Sequence, residues 1–531
     1  MSSLRQVWAL PTVLVAIANI SATWYKLVSE RVPRPYLDEY FHVPQAQRYC
    51  QKDYTWDPKI TTPPGLYLAS LLIKPIAGCD ISALRALNVG AICLICLLSY
   101  QIRRLLRRPL PPRRTRTEAS VPQFKDDETQ TSLLDAHTAL NISLFPPLFF
   151  FSGLYYTDVL STLVVLAAYS TYLSQRGTHN YLLSSLLIIN IGVLALLFRQ
   201  TNIFWVAVFP AGLAVVDTLK SYDEMLDAPV EQAGPRHYFA FLFYLPRDVL
   251  MKPIAVIKAV FPYLILLGLF GGFVLWNGGV VLGDKSAHMA TIHLPQMLYL
   301  WPYMVFFSLP LTLPSLLQPI LPVLPNHLRS LLETNLTGPS SPSSPIAPSA
   351  LAALLFNVSA FAAVHFNTII HPYSLADNRH YVFYVFRLLF RHPVVKYLAV
   401  GVYYICALLT IRILGAPPHP APTPSAKTAP KRQQKLASAK DSSVQISFVL
   451  VWVGATALSV ITAPLVEPRY FIIPWVIWRL HVPVEPGRAT TVRLALETAW
   501  LLAVNLGVGY MFLYREFTWA SEPGSVQRFM W

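Results

Sequence analysis

Charge is what this sequence lacks. Only 13% of its 531 residues are Asp, Glu, Lys or Arg. That is about half the share of a soluble globular protein and argues against a water-dissolved enzyme. Acids are the scarcest part: Asp and Glu number 27 against 42 Lys and Arg, a net charge of +15. Five cysteines are too few for a disulfide scaffold in a chain of this length. Cys50, Cys79, Cys93, Cys96 and Cys406 lie in or near apolar segments, and the spacing of Cys93 and Cys96 falls inside one of them. Packing is therefore their expected role, rather than redox or metal chemistry. Glycines are few, 22 against 45 prolines, so helices should break often and a collagen-like chain is excluded. No HExxH, paired CxxC, Walker-type phosphate loop or GxSxG is present, which removes the usual metalloprotease, nucleotide and serine-hydrolase signatures. Glu39 and His42 have the spacing of half a di-iron motif, but the second copy that such a site requires is missing.

Long apolar runs take the place of charge: 54% of the chain is hydrophobic. A helix needs about 20 mostly apolar residues to cross a bilayer. Runs at 7–28, 81–102, 133–151, 159–173, 181–198, 203–219, 254–276, 294–313, 351–370, 394–414, 444–465 and 492–513 meet or approach that length. The reading is an all-α polytopic membrane protein of about 12 to 14 spans forming one integral-membrane domain over 1–531. Residues 63–77 are short for a span and suit an interfacial helix; 471–480 suits a re-entrant one. The run at 7–28 is longer than a signal-peptide core and lacks a small-residue cleavage site, so a retained anchor is expected.

Orientation follows the cations. Arg103, Arg104, Arg107, Arg108, Arg113, Arg114 and Arg116 form the densest basic run and belong in the cytoplasm. Lys427, Lys431, Arg432, Lys435 and Lys440 fall on the same side by alternation. Loops 103–131, 220–252, 314–350 and 415–443 are then cytoplasmic, the Met1 end is cytoplasmic, and 30–79 is the first lumenal loop. Segments 335–350 and 416–442, rich in Pro, Ser and Ala, read as linkers. The sequons at Asn19, Asn141 and Asn357 sit in spans and that at Asn335 in a cytoplasmic linker, so none should carry a glycan. Because the cations flank spans and accompany no base-stacking module, they indicate topology and anionic headgroups rather than nucleic acid.

The lumenal face gathers the polar chemistry. Polar groups beside hydrocarbon are costly and favour functional explanations. Asp38-Glu39, an acidic pair just after the first span, is a candidate general base. If the segment is one helix, Asp38, Phe41, His42 and Gln45 share a face while Glu39 points about 100° away. Pro44 favours a helix start instead, which would leave Asp38 in the turn before it. Arg199, Lys285, Arg379, Arg387 and Arg469, with His371 and His380, supply cations on the same face. One acid plus several cations suits transfer from a lipid phosphate, because arginine grips phosphate oxygens bidentately.

An acidic pair in the first lumenal loop of a multi-span chain resembles the C-type superfamily of membrane glycosyltransferases, which use polyprenyl-phosphate sugars. Longer strings narrow the resemblance. YLDEYFHVPQAQRYC (36–50), WDPKITTPPGLYL (56–68), GLYYTD (153–158), FRQTNIFWV (198–206), GDKSAHMATIHLPQMLYL (283–300), HPYSLADNRHYVFYVFR (371–387), EPRYFIIPW (467–475) and RFMW (528–531) look like the dolichyl-phosphate-glucose-dependent alpha-1,2-glucosyltransferases. The matching strings run from 36 to 531, while the cytoplasmic loops match poorly.

The resemblance implies inverting transfer of the terminal alpha-1,2-linked glucose from dolichyl phosphate glucose to the diglucosylated lipid-linked oligosaccharide. The reaction would take place in the lumen of the endoplasmic reticulum, for protein N-glycosylation. It implies both lipid substrates and the bilayer as partners, no nucleic acid, and no metal or other cofactor. It implies Asp38 as the base that deprotonates the acceptor 2-hydroxyl, with Glu39 in reserve and His42 orienting Asp38 or touching acceptor. Lys285, Arg379, His380 and Arg469 are the expected phosphate ligands. Asp377 and Tyr381 would bind sugar hydroxyls, and Trp56 and Asp57 would form part of the acceptor wall. Two alternatives stand beside it: a relative specific for another polyprenyl-phosphate sugar such as mannose, and a transporter or channel. A transporter should show paired repeats and midplane binding residues, whereas these ionisable groups cluster at one face.

Overall fold

Proline and short polar interruptions set the architecture. The computed structural model describes residues 2–108, 125–176, 180–222, 225–285, 291–337, 349–415, 444–463 and 465–531. Among them the chain is helical except for one two-stranded ribbon, Phe517–Thr518 paired antiparallel with Val526–Gln527. It is an all-α polytopic membrane protein.

Six helices among the described residues are long and apolar enough to span a bilayer: Val7–Arg31, Ile81–Leu106, Gln200–Tyr222, Pro253–Asn277, Pro393–Arg412 and Arg488–Tyr514. A bent pair, Gln296–Phe307 with Leu309–Leu317, makes at most a seventh. This is fewer than the 12 to 14 spans expected from apolar runs. The runs are apolar enough, but many are cut in space. Pro146 and Pro147 follow a break that divides 133–151 into Lys125–Ser143 and Pro146–Phe151. The 294–313 run turns by 89° at Ser308, just before Pro310. Gly65–Ala77, Tyr181–Leu196, Ala350–Phe366 and Ile446–Val460 are apolar but of 10–17 residues. At 1.5 Å per residue, a helix of 17 residues rises only about 26 Å, short of a hydrocarbon core of about 30 Å.

The loops differ as well. Residues 220–252, read as a loop, contain the helix Pro235–Met251, which exposes Phe239, Phe243 and Leu250. Within 314–350 lies the short helix Asn326–Leu332. Arg113, Arg114, Arg116 and the whole of 416–443 lie outside the described residues. The sequon Asn19, Asn141 and Asn357 side chains sit on helices, and Asn335 on a π-helical turn. Cysteine usage needs correction: Cys50 and Cys79 form a disulfide across 29 residues. Sequence spacing cannot reveal that pairing, because the turn at 51–64 and the Gly65–Ala77 helix fold back to bring the two together. Cys93, Cys96 and Cys406 are free and at least half-buried, as packing residues should be.

The Ile81–Leu106 helix is the central post, packed against Ser2–Arg31, Lys125–Ser143 and Thr157–Gln175. Large aromatic rings fill the interior, including fully buried Trp452, Trp475 and Trp478. Phe145 stacks on Trp475 with ring centroids 3.9 Å apart. Trp24 donates its indole N–H to the Phe150 carbonyl at 2.9 Å. A Cβ at Gly153 would lie 2.6 Å from that indole nitrogen, so only glycine lets the chain turn there into Leu154–Asp158. That turn is one wall of the polar site.

Candidate active site

Asp38 and Glu39 are neighbours in sequence and opposites in environment. Leu37 has φ +50°, a left-handed conformation unusual for a branched side chain, and it swings the chain into the helix Glu39–Cys50. Asp38 holds the N-cap position, its carbonyl accepting from His42 N–H at 3.0 Å. The helix thus starts before Pro44 and carries it inside, the single-helix arrangement in which Glu39 points away from Asp38. Glu39 is 0% exposed. Arg85 grips it at 2.8 and 2.6 Å, and the backbone N–H groups of Tyr155 and Tyr36 donate to its two oxygens at 2.7 and 3.1 Å. Four donors saturate that carboxylate, which leaves no lone pair facing an incoming hydroxyl. Asp38, by contrast, has a side chain 41% exposed.

One guanidinium organises the open acid. Arg469 Nη1 donates to Asp38 Oδ2 at 2.7 Å, and Arg469 Nη2 and Nε reach Glu467 Oε2 at 2.7 and 3.0 Å. Asp158 Oδ2 lies 3.8 Å from Nη1, and Asp158 Oδ1 pairs with Arg199 Nη2 at 3.0 Å. The rings of Phe151 and Tyr156 each stand 5.7 Å from the Arg469 Cζ, within cation–π range. Tyr156 also accepts the Asp38 backbone N–H on its hydroxyl at 3.1 Å. Burial opposes ionisation of Asp38, but the Arg469 charge and hydrogen bond outweigh it and hold the carboxyl below the usual range. Arg469 itself stays charged, because the carboxylates around it outweigh its burial.

His42 lies one turn along, 8% exposed, with Nδ1 2.7 Å from the Tyr67 hydroxyl. Burial, only partly offset by the Asp38 charge, pushes its pKa down to about 4, so the ring is neutral at neutral pH. Trp56 is half-buried, donating to the Ile60 carbonyl at 3.2 Å, with its ring 5.8 Å from Tyr67. Asp57 closes a local turn by accepting the Lys59 N–H at 2.9 Å. This strand of the first loop is covered by the loop after Pro253–Asn277: Leu282 N–H donates to Thr61 O at 3.1 Å and Asp284 N–H to Pro58 O at 2.8 Å. Lys285 lies at the end of that covering loop and bonds the Asn277 carbonyl, so it is brought to the first loop but not into the Arg469 cluster.

A third segment closes the site. Asp377 and Arg379 form a bidentate pair, with Nη2–Oδ2 at 2.7 Å and Nε–Oδ1 at 2.9 Å. Arg379 also donates to Gln527 at 3.1 Å and covers the Trp519 ring at 4.6 Å. His380 Nδ1 is 2.9 Å from the Trp531 carbonyl, and the Tyr381 ring lies 5.1 Å from the Trp531 ring. The tail 517–531 is tied to the first loop in turn: the Tyr36 hydroxyl donates to Arg528 O at 2.8 Å and accepts Arg528 N–H at 2.7 Å. Segment 377–381 and the tail therefore sit beside Tyr36, two residues before Asp38. Asp377, Arg379 and His380 are close enough to perturb the titration of Tyr36 or Asp38.

Of the residues singled out from the sequence, the structure brings Asp38, His42 and Arg469 together and sets Asp377, Arg379 and His380 beside them. Sequence reasoning singled out no individual role for Asp158, Glu467, Tyr156 or Trp531, although each lies inside a quoted string. Their signal was faint: an acid in the first turn of Thr157–Gln175 and another before a 3₁₀ turn look like ordinary helix-end residues.

Comparison with known proteins gives the family. Residues 32–480 match the model of the DIE2/ALG10 family. A relative from Emericella nidulans, named a Dol-P-Glc:Glc(2)Man(9)GlcNAc(2)-PP-Dol alpha-1,2-glucosyltransferase, is 42% identical over 96% of each chain. One of the same name from Aspergillus fumigatus is 39% identical, covering 100% of this chain and 98% of its own. A third from Mus musculus is 32% identical over 96% of each. No solved structure matches the chain. A match that takes in the first loop, the Arg469 segment and nearly everything between them means that the chain belongs to the DIE2/ALG10 family.

Proposed function

We propose that this membrane enzyme transfers glucose from dolichyl phosphate glucose to the diglucosylated lipid-linked oligosaccharide, forming an alpha-1,2 bond with inversion, and that Asp38 is its general base. The observation that carries the assignment is the contrast at 38 and 39: Asp38 is open and held ionised by Arg469, while Glu39 is sealed and saturated. A base must reach the proton that it removes, and only the first of these two carboxylates faces outward.

Inversion needs one displacement. Asp38 takes the proton of the acceptor 2-hydroxyl, whose oxygen attacks the anomeric carbon as the bond to phosphate breaks. Phosphate departs with the electron pair, and nearby cations stabilise it. Lys285, Arg379 and His380 are the groups assigned to that phosphate, Asp377 and Tyr381 to sugar hydroxyls, and Trp56 and Asp57 to the acceptor wall. Neutral His42 serves as a hydrogen-bond partner rather than a charge. Arg469, surrounded by Asp38, Glu467 and Asp158, is better suited to orient the base than to capture phosphate.

The site lies on the lumenal side of the endoplasmic reticulum membrane, with the Met1 end in the cytoplasm. The Cys50–Cys79 disulfide supports this, since such bonds persist in the oxidising lumen and are rare in the cytosol. Long isoprenoid tails would stay in the bilayer while the sugars meet above it. Complementation is the test. Cells lacking the last glucosylation step should accumulate the diglucosylated lipid-linked oligosaccharide, and this chain should restore the triglucosylated form while Asp38→Asn should not. A folded Asp38→Asn protein with full turnover would remove the base assignment. Extension of a different acceptor only would remove the substrate assignment.

A further inference from the structure

One nitrogen of Arg469 faces two carboxylates. Nη1 bonds Asp38 Oδ2 at 2.7 Å while Asp158 Oδ2 waits 3.8 Å away. Asp158 is 3% exposed; its Oδ1 is held by Arg199 at 3.0 Å, but its Oδ2 is sealed from solvent and accepts no hydrogen bond. Leaving a buried acceptor unsatisfied costs about 1–3 kcal/mol, and more for a charged one. Such an oxygen within about 1 Å of hydrogen-bonding range is intelligible if another state of the site uses it.

We propose that Asp158 is a positioning residue that takes over Arg469 when Asp38 accepts the substrate proton. The inference rests on the reading of Asp38 as the base. The acceptor hydroxyl gives its proton to Asp38, the oxygen's electron pair forms the bond to the anomeric carbon, and the carbon–phosphate oxygen bond breaks with its pair leaving on phosphate. Asp38 is then neutral, and its hold on Nη1 weakens. Glu467 keeps Nε and Nη2 at 3.0 and 2.7 Å, so the guanidinium can pivot about that grip. Phe151 and Tyr156, each 5.7 Å from Cζ, flank the pivot without bonding it. Nη1 swings to Asp158 Oδ2, the charge stays paired, and Asp38 is released to keep its proton until product leaves. Asp38 then gives its proton to water as product leaves, and the return swing of Arg469 holds the base ionised again.

The groups that bear on this exchange are Glu467 and Tyr470 beside Arg469, Tyr156 and Asp158 from the neighbouring turn, Arg199 and Tyr303 facing Asp158, His42 on the helix after Asp38, and His380 from the third segment. Two substitutions push the exchange in opposite directions. Asp158→Asn keeps an oxygen for Arg199 but removes the second anion, so Arg469 remains committed to Asp38. Asp158→Glu extends the carboxylate toward Nη1 and draws Arg469 off Asp38.

The test measures kcat and KM against pH with the purified full chain, dolichyl phosphate glucose and the diglucosylated acceptor. Asp158→Asn should lower kcat about tenfold with both KM values within about threefold, and its acid limb should move to lower pH. Asp158→Glu should move that limb to higher pH. Limbs that move together, or that both stay in place, overturn the inference. If the Asn protein does not fold, the Glu protein decides alone: an upward limb supports the exchange and an unmoved one overturns it. An inactive Asp38→Asn beside Asp158 variants with wild-type profiles would discard the exchange and leave the base standing.

Discussion

The Ile81–Leu106 helix carries an arginine–carboxylate cluster near each end, and the two clusters are built differently. Near its start, Arg85 seals Glu39, and the adjoining Asp38, Asp158 and Glu467 pair with Arg199 and Arg469. Near its other end, Arg103 and Arg107 share Asp135 at 3.0 and 2.8 Å, and Arg479 pairs with Glu497 at 2.7 Å. Arg479 and Glu497 are both 0% exposed, and Asn141 donates a further bond to Glu497 at 2.8 Å. Arg103 also binds the carbonyls of Leu480 and Val482 at 2.8 and 2.9 Å, which fastens the end of the Ile472–His481 helix. The far cluster has cations in excess and its acids are buried, with only the Arg107 side chain partly exposed, at 35%; the near one has acids in excess and one of them is open. Sealed pairs hold helices in register. A cluster with an exposed acid leaves that acid room to meet another group.

The comparison breaks most visibly at the open acid. Asp38→Asn should reduce turnover by about 10²–10⁴-fold, the usual contribution of a general base, with an unchanged melting profile. Loss of both activity and stability would place Asp38 in the sealed class instead. At the far cluster the expectation reverses. Glu497→Ala should destabilise the protein by about 3–5 kcal/mol, because it strands the buried Arg479 charge. Activity per folded molecule should hold, as measured by detergent melts beside transfer assays. A turnover defect without destabilisation would mean that the two clusters are not distinct in function.

Smaller effects sharpen the same division. Cys50→Ser should cost roughly 3–4 kcal/mol through the loosened 29-residue loop in the unfolded chain. Melting with and without reductant checks this, and reductant should have no effect on the variant. The smallest signal is the pH dependence of stability at His42. Its pKa falls from 6.5 to about 4 on folding, so across that window the unfolded chain binds a proton that the native site refuses. Stability contributed by His42 should therefore decline as pH drops from about 6.5 to about 4. Replacing it with Gln should flatten that part of the melting-temperature curve.

Much of this division was legible in the sequence, and its limits are physical. Apolar runs and the charge deficit identify an all-helical membrane chain, because a hydrocarbon solvent leaves helices as nearly the only option at that composition. The Asp38-Glu39 pair stands out because acids are so scarce. Among the described residues six or seven helices are long enough to span, fewer than the apolar runs, because hydropathy counts apolar residues and cannot see an 89° bend at Ser308 or the break before Pro146. Cys50 and Cys79 read as packing residues until the fold-back of the Gly65–Ala77 helix placed them together.

What the sequence determined by itself was the solvent, the helical class and a short stretch with a conspicuous acidic pair, since each depends on local composition. The tertiary structure decided which acid is available. Asp38 and Glu39 are chemically near-identical neighbours, separated by about 100° of helix rotation. That turn delivers one carboxylate to Arg85, 46 residues away, and the other to Arg469, 431 residues away. It also leaves Asp158 beside Arg469 with an oxygen unsatisfied. Partners so distant in the chain meet only when the helices pack, so the difference between a sealed charge and an open one is written in the fold.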